Sequence, residues 1–304
     1  VGAGSRSAHA HPFLADKEFQ HMTRRSSVAG CAVAAALLLA APSLATSTPR
    51  APTTTPRAAK PVITMSGSTS VYPLAVKLAT AYVKAFPRRA SFKILQGSTD
   101  IGVNDVARGR VTIGNASRDP IAGSDPGGLV FNKIARDGVC VVTHSSNAIA
   151  QLSQEQIQAI FAGRTRAWAD VPGARVSGPI DIVTRTAASG TADAFQNIFM
   201  GPRLRIAANA AAKQSNGLVR QTVASNPNAV GFVSLDFLEG VNAVGYRGVA
   251  CNLRNAKSGQ YAGVRNFWMV TRGRAKGPAA TFLRWIKTNP VAKRQVATNW
   301  IPLS

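Results

Sequence analysis

From residue 62 onward the chain alternates short apolar runs, hydroxyl-rich turns and amphipathic segments. Val62-Ile63-Thr64-Met65 reads as a strand and ends in Ser66-Gly67-Ser68-Thr69-Ser70. Leu74, Leu78, Ala81, Tyr82 and Ala85 then recur at helical spacing, which predicts a helix over 72–86. Pro73 suits its first turn, where a missing N–H is no loss. Residues 91–95 alternate as a strand, and Gln96-Gly97-Ser98-Thr99-Asp100 leads into a helix over 101–108. A third strand, 109–114, runs into Asn115-Ala116-Ser117-Arg118. Strand, hydroxyl-rich turn and helix thus occur twice in succession, the pattern of an α/β fold with a largely parallel sheet.

The second half repeats the theme without a fixed period. An apolar strand is expected over 138–144. Ser153, with Gln156 three residues on, forms a capping pattern ahead of a helix over 157–161. A strand over 180–184 is followed by Arg185-Thr186-Ala187-Ala188-Ser189-Gly190-Thr191 and a helix over 192–199. Strands over 229–233 and 267–270 and a closing helix over 278–287 complete the reading.

The N-terminal region follows a different logic. Met22 opens a secretory leader: Arg24 and Arg25 supply its charged part, residues 32–41 its apolar core, and Ser43-Leu44-Ala45 the small residues a signal peptidase reads. An apolar core this short does not span a bilayer. Residues 1–21 are expected to be an extension ahead of the true start, 22–45 the signal peptide, and 46–60, rich in Thr, Pro, Ala and Arg, a disordered tether. Val28-Ala29-Gly30-Cys31 has the letters of a lipoprotein box but precedes the apolar core, so no lipid anchor is expected. The protein is expected to be periplasmic or secreted.

Charge changes the picture of what the protein meets. The 304 residues carry 36 Lys and Arg against 13 Asp and Glu, a formal charge of +23. The bases are scattered, no zinc-finger or RNA-binding signature is present, and nucleic acid is not the expected partner. A diffuse positive field instead speeds the arrival of small anions. Beyond the leader two cysteines remain, Cys140 and Cys251. In an oxidising compartment they read as a disulfide, with two small buried apolar side chains as the alternative.

Three strand-to-helix turns place Ser and Thr where helix N–H groups lack partners and the helix dipole is positive. Each is an anion site in outline, although Ser and Thr are also ordinary helix caps. Arg185, at a strand exit and four residues before Ser189, adds a planar fork that can grip two oxygens of a tetrahedral oxyanion; on its own it would read as a surface ion pair. Catalysis is poorly supported. The only histidine after the leader is His144, in an apolar strand, and Gly67-Ser68-Thr69-Ser70 lacks the lysine of a nucleotide loop. No metal-binding spacing or paired acid/base motif occurs, so neither a metal nor another cofactor is expected and the protein does not read as an enzyme.

In order and spacing, these pieces resemble the periplasmic phosphate-binding proteins that feed the bacterial phosphate ABC transporter. The resemblance covers nearly all of residues 61–304. It rests on Gly67 to Pro73, Gln96-Gly97-Ser98-Thr99 with Gly102, Gly114 to Arg118, Arg136-Asp137-Gly138-Val139, Leu152 to Gly163 with Trp168, Arg185 to Thr191, Ser215-Asn216-Gly217 and Ala229 to Ser234. It implies a two-lobed periplasmic binding protein fold of type II, with mixed sheets flanked by helices and two hinge crossings. The crossings would fall near 136–139 and 263–267. Lobe I would then be 61–137 with 263–304, and lobe II 138–262, which would hold both cysteines. The ligand would be inorganic phosphate, the partner a membrane permease, and the protein a monomer. Position by position, the resemblance implies phosphate ligands at Thr69, Ser70, Thr99 (with Ser98 as alternative), Ser117, Arg185, Ser189, Gly190 and Thr191. At Ser117 the family often has an aspartate that accepts the proton of monohydrogen phosphate; a serine there discriminates less sharply against sulfate. Two other readings are carried forward: the same fold binding sulfate, molybdate or a phosphonate, and a secreted hydrolase or phosphatase using Ser189 or Thr69.

Overall fold

The computed structural model describes residues 59–303. The expected extension, leader and all but the last two residues of the tether lie outside the described residues. The chain begins with strand β1 (Val62–Gly67), helix α1 (Tyr72–Ala85), β2 (Ser91–Ile94), α2 (Thr99–Ala107) and β3 (Ile113–Ala116). There follow a long strand β4 (Leu129–Thr143), β5 (Gln151–Leu152), α3 (Gln154–Phe161), β6 (Asp181–Arg185) and α4 (Gly190–Phe195), which runs into a π-helical turn at Gln196–Met200. The rest is β7 (Ala211–Lys213), α5 (Asn216–Ala224), β8 (Ala229–Ser234), β9 (Asn242–Tyr246), α6 (Leu253–Ser258), β10 (Val264–Arg272), α7 (Gly277–Thr288) and α8 (Pro290–Asn299).

The fold is the expected two-lobed α/β arrangement on a mixed sheet. Strand order is β2-β1-β3-β10-β4-β8-β6-β7, with β9 against β4 and β5 against β9. The outer pairs are parallel, but β10 runs antiparallel to both β3 and β4, and β4 antiparallel to β8 and β9. The strand-helix pattern alone pointed to a largely parallel sheet, and it does not describe this antiparallel centre.

Two apolar cores share the sheet. One gathers Met65, Leu78, Tyr82, Phe267, Phe282 and Trp300; the other gathers Val141, Phe161, Trp168, Phe195, Phe232 and Tyr246. Strand β4 passes from the first core at Ala135 to the second at Val139, and β10 returns from Val264 to Phe267. Between those points Asp137 and Arg265 face each other across the β4–β10 pair. Ile301 packs with the second core, beside its bridge to Arg136, although the tail around it belongs with the first.

Several elements start where local chemistry sets them. The Ser153 capping box is complete, with Ser153 Oγ accepting Gln156 N–H and Gln156 Oε1 accepting Ser153 N–H. The strand expected at 109–114 begins later, because Gly109 turns left-handed (φ 70°) and Arg110 N–H returns to Asp105 O at 2.8 Å. Those residues close α2 before the chain enters the sheet. His144 lies one residue past β4, half-buried, with Nδ1 2.7 Å from Ser146 Oγ, and not inside a strand as expected. Cys140 and Cys251, both buried in the second core, form a disulfide with Cα atoms 5.8 Å apart.

Candidate functional site

The first lobe contributes three turns. Thr69 and Ser70 lie between β1 and α1, Thr99 is the first residue of α2, and Ser117 follows β3 directly. These turns sit close because α2 lies hard against the sheet: a Cβ on Gly67, whose φ is 121°, would stand 2.4 Å from Asn115 O and 2.9 Å from Gly102 Cα. The second lobe contributes Arg185, the last residue of β6, and Ser189-Gly190-Thr191 at the start of α4. All eight expected ligand positions are buried.

The structure brings these residues into one hydrogen-bonded cluster spanning both lobes. Ser70 Oγ lies 3.0 Å from Thr191 Oγ1. Arg185 Nη2 reaches Thr69 Oγ1 at 3.5 Å and Nη1 reaches Thr191 Oγ1 at 3.4 Å. Thr99 Oγ1 accepts Ser117 N–H at 3.1 Å and lies 3.3 Å from Ser117 Oγ. Asp100 N–H donates to Ala188 O across the cleft at 3.2 Å. Gly190 is where the lobes meet most closely: a Cβ there would fall 2.5 Å from Thr99 Oγ1 and 2.8 Å from Ser117 Oγ. A glycine at this position lets the two turns close on each other.

Not every expected group plays the part its residue type suggested. Ser189 Oγ caps α4, accepting Thr191 and Ala192 N–H at 3.1 and 3.3 Å, so only its own proton remains to be given. Ser98 is buried, but Thr99 makes the contacts of this turn. Arg118 is spent on Asp100 and Asp125, at 2.9 and 2.6 Å.

Four residues absent from the expected ligand set complete the cluster. Ser68 Oγ accepts Ser70 N–H and donates to Ser117 Oγ at 2.9 Å. Asn216 Nδ2, at the start of α5, donates to Ser70 Oγ at 2.8 Å and Thr69 Oγ1 at 3.0 Å. Arg265 donates to Ser70 Oγ and Thr191 Oγ1 at 2.8 and 2.9 Å, and pairs with Asp137 at 2.9 Å. Asp137 Oδ2 also accepts Ser234 Oγ–H at 2.8 Å. A signal for Arg265 was present in the sequence. It stands in phase with Phe267 and Met269, so a strand through 264–270 turns a guanidinium to the buried face.

The electrostatics are unbalanced. Among the described residues, Arg265 has a carboxylate partner and Arg185 has none. Burial, with Arg265 beside it, pushes the Arg185 guanidinium down to about 9. Burial also drives Arg265 down and Asp137 up, while each opposes the other's shift by direct contact. Two guanidiniums and one carboxylate leave an excess positive charge among buried groups. A bare buried cation is costly, and its cost falls when an anion binds.

The site can therefore hold a small anion with hydroxyl and guanidinium donors. No imidazole or carboxylate is hydrogen-bonded to Ser189 or Thr69. Among the described residues no three His, Cys, Asp or Glu side chains gather to hold a metal, and no helix is long and apolar enough to cross a membrane.

The phosphate-binding protein PstS of Bacillus subtilis (strain 168) is 26% identical over 247 residues, covering 80% of this chain and 81% of that one. A crystal structure from Clostridium perfringens, of a substrate-binding protein assigned to a phosphate ABC transporter and holding phosphate, superposes with a TM-score of 0.75. It is 29% identical and covers 80% of this chain and all of its own. An ABC-type phosphate transport receptor from Vibrio cholerae gives a TM-score of 0.64 at 26% identity, over 79% of this chain and all of its own. The family model described as the PBP superfamily domain matches residues 45–289. By that match, which takes in both lobes and the two strands joining them, the chain belongs to the PBP superfamily.

Proposed function

We propose that the protein captures inorganic phosphate between its lobes and delivers it to the permease of an ABC importer. The observation that carries this reading is Arg185: a buried guanidinium with no carboxylate partner, ringed by hydroxyls from both lobes. A tetrahedral dianion supplies the missing charge and several acceptors at once. The relatives named for phosphate binding and phosphate transport support the choice of ligand.

In this reading Thr69, Ser70, Thr99, Ser117, Arg185, Ser189, Gly190 and Thr191 surround the anion. The lobes are 61–137 with 263–304, and 138–262, hinged where β4 and β10 cross. The protein works as a monomeric receptor after export and performs no chemistry on its ligand. A surface pocket bordered by Gln96, Ser98, Ile101, Gln214 and Leu218 reaches Thr69.

Titration calorimetry should find one saturable phosphate site per chain, without turnover of phosphate esters. Arg185→Ala should keep a cooperative thermal transition but lose about 2–5 kcal/mol of phosphate binding, the cost of removing a desolvated charge-assisted partner. Unchanged affinity in that variant would remove Arg185 from the site.

A further inference from the structure

The bases are scattered along the sequence, yet the fold gathers some of them. Residues 62–94 and 264–303, which form β1, α1, β2, β10, α7 and α8, contain no aspartate or glutamate. Helix α8 packs against both α1 and α7, and all three helices cover the first apolar core. Every basic side chain on the outside of this layer therefore lacks an acidic neighbour on its own elements. Among the described residues the ion pairs are made elsewhere, by Arg110, Arg118, Arg220 and Arg265. One carboxylate approaches the layer: Asp236 accepts from Asn299 at the last residue of α8.

Four exposed bases of this layer lie together. Lys287 and Lys293 border a groove lined by the aliphatic side chains of Ile134, Ile286, Val296 and Leu303. Arg274, Arg284 and again Lys287 border a second groove, lined by Val130, Ala275, Ala280 and Leu283. Lys287 is common to both, so the four cations make one continuous strip along α7. The strip is separate from the interlobe cluster, to which neither α7 nor α8 contributes a residue.

Unopposed like charges repel one another, and an anionic partner relieves that repulsion. The apolar groups between the cations narrow the choice of partner. Val130 and Val291 are 40% and 37% exposed, and Leu303 is half-buried. A charged polymer gains nothing from them. An anionic lipid surface presents phosphates directly above an apolar glycerol and acyl layer, so it matches both the cations and the aliphatic groups.

We propose that the strip along α7 is a docking surface for a membrane rich in anionic lipids. Arg274, Arg284, Lys287 and Lys293 meet the headgroup phosphates, and the aliphatic groups between them rest at the level below. Binding of this kind is reversible and weakens with salt, because exposed charges are screened over about 10 Å at 0.1 M ionic strength. The inference does not depend on the phosphate reading.

The test is co-sedimentation of the protein, purified after export so that any leader is gone, with vesicles of two compositions. One is phosphatidylcholine alone, the other an equal mixture of phosphatidylcholine and phosphatidylglycerol. The native protein should bind the mixed vesicles at least about tenfold more tightly, and lose that preference in high salt. Replacing Arg274, Arg284, Lys287 and Lys293 by Ala should remove at least about tenfold of the binding. A control variant removes the same charge by replacing Arg164, Arg166, Arg175 and Arg203, exposed bases on the connections after α3 and after the π-helical turn. It should stay within about threefold of the native protein, because attraction to a surface falls off within a Debye length. Should the first fourfold variant lack a cooperative melting transition, Arg284→Ala with Lys287→Ala decides, with an expected loss of at least about threefold.

A native protein without preference for the mixed vesicles overturns the inference. Equal losses in the strip and control variants also overturn it, because overall charge would then suffice. So does binding to soluble polyglutamate as tight, per charge, as to the vesicles, since the partner would then be a polyanion and not a membrane. Phosphate titration of the same samples reads the interlobe site separately, and its failure would touch only the phosphate reading.

Discussion

Arg185 concentrates the physics of the site in one side chain. Its donors reach Lys213 O and Gln214 O as well as the hydroxyls, so it is held in place by neutral groups that do not cancel its charge. Because burial beside Arg265 lowers its proton affinity to about 9, the unliganded protein sheds this proton above that pH. A bound dianion favours the charged form. Binding above pH 9 should therefore take up a proton, and affinity should fall as pH rises through the unliganded value, by up to about tenfold per unit. Calorimetry in two alkaline buffers of different ionisation enthalpy would read the uptake; a constant affinity through that range would contradict the charge assignment. At this scale much was legible from the sequence. Hydroxyls before helices and an arginine at a strand exit are local features, and the residues carrying them do converge. Arg265, Asp137 and Asn216 were not named as site residues, because the role of each is defined by partners far away along the chain. The Arg265–Asp137 pair spans 128 residues, and no local pattern encodes it.

Among the elements, legibility followed the strength of local periodicity. Helices α1, α3 and α7, with apolar stripes or a capping box, fall within a few residues of expectation. Strand β4 was read only in its second half, where residues 138–143 are uniformly buried; its first half carries Val130, Asn132 and Lys133 at more open positions and lacks an apolar run. Helix α5 buries only Val219 and Val223 of its apolar residues and begins at a glycine-containing turn, and α8 buries only Ala292 and Val296, so both offer few apolar positions to read. Short β5, β7 and β9 depend on neighbours to exist at all. The element that matters most for binding is α4, whose first residue touches the opposite lobe. Gly190→Ala adds a methyl where Thr99 Oγ1 and Ser117 Oγ stand, without requiring a forbidden backbone angle. It should cost at least about tenfold in phosphate affinity by holding the turns apart, with little change in the melting temperature of the unliganded protein, since the clash lies between lobes and not within a core. Native affinity in this variant would show that the lobes need not meet at α4.

For the molecule as a whole, two cores on one sheet divide the tasks. Each lobe carries its own apolar packing, and the second is further tied by Cys140–Cys251, whose closure of a long loop is worth about 4–5 kcal/mol in the chain-entropy account. The strands that cross between lobes are the same two that hold Asp137 and Arg265, so this buried ion pair lies where the lobes join. The sparse acidic residues and charge of +23 fit a receptor for a small anion, and the scattered distribution of the bases matches no polymer-binding signature. In the proposed reading, turns from both lobes and one unneutralised guanidinium enclose a single tetrahedral anion. The most direct measurement is a crystal structure of the protein grown with phosphate in excess. The account predicts one phosphate enclosed by Thr69, Thr99, Arg185 and Thr191, within hydrogen-bond distance of both lobes. A chamber without phosphate under those conditions, or an anion held by one lobe alone, would contradict it.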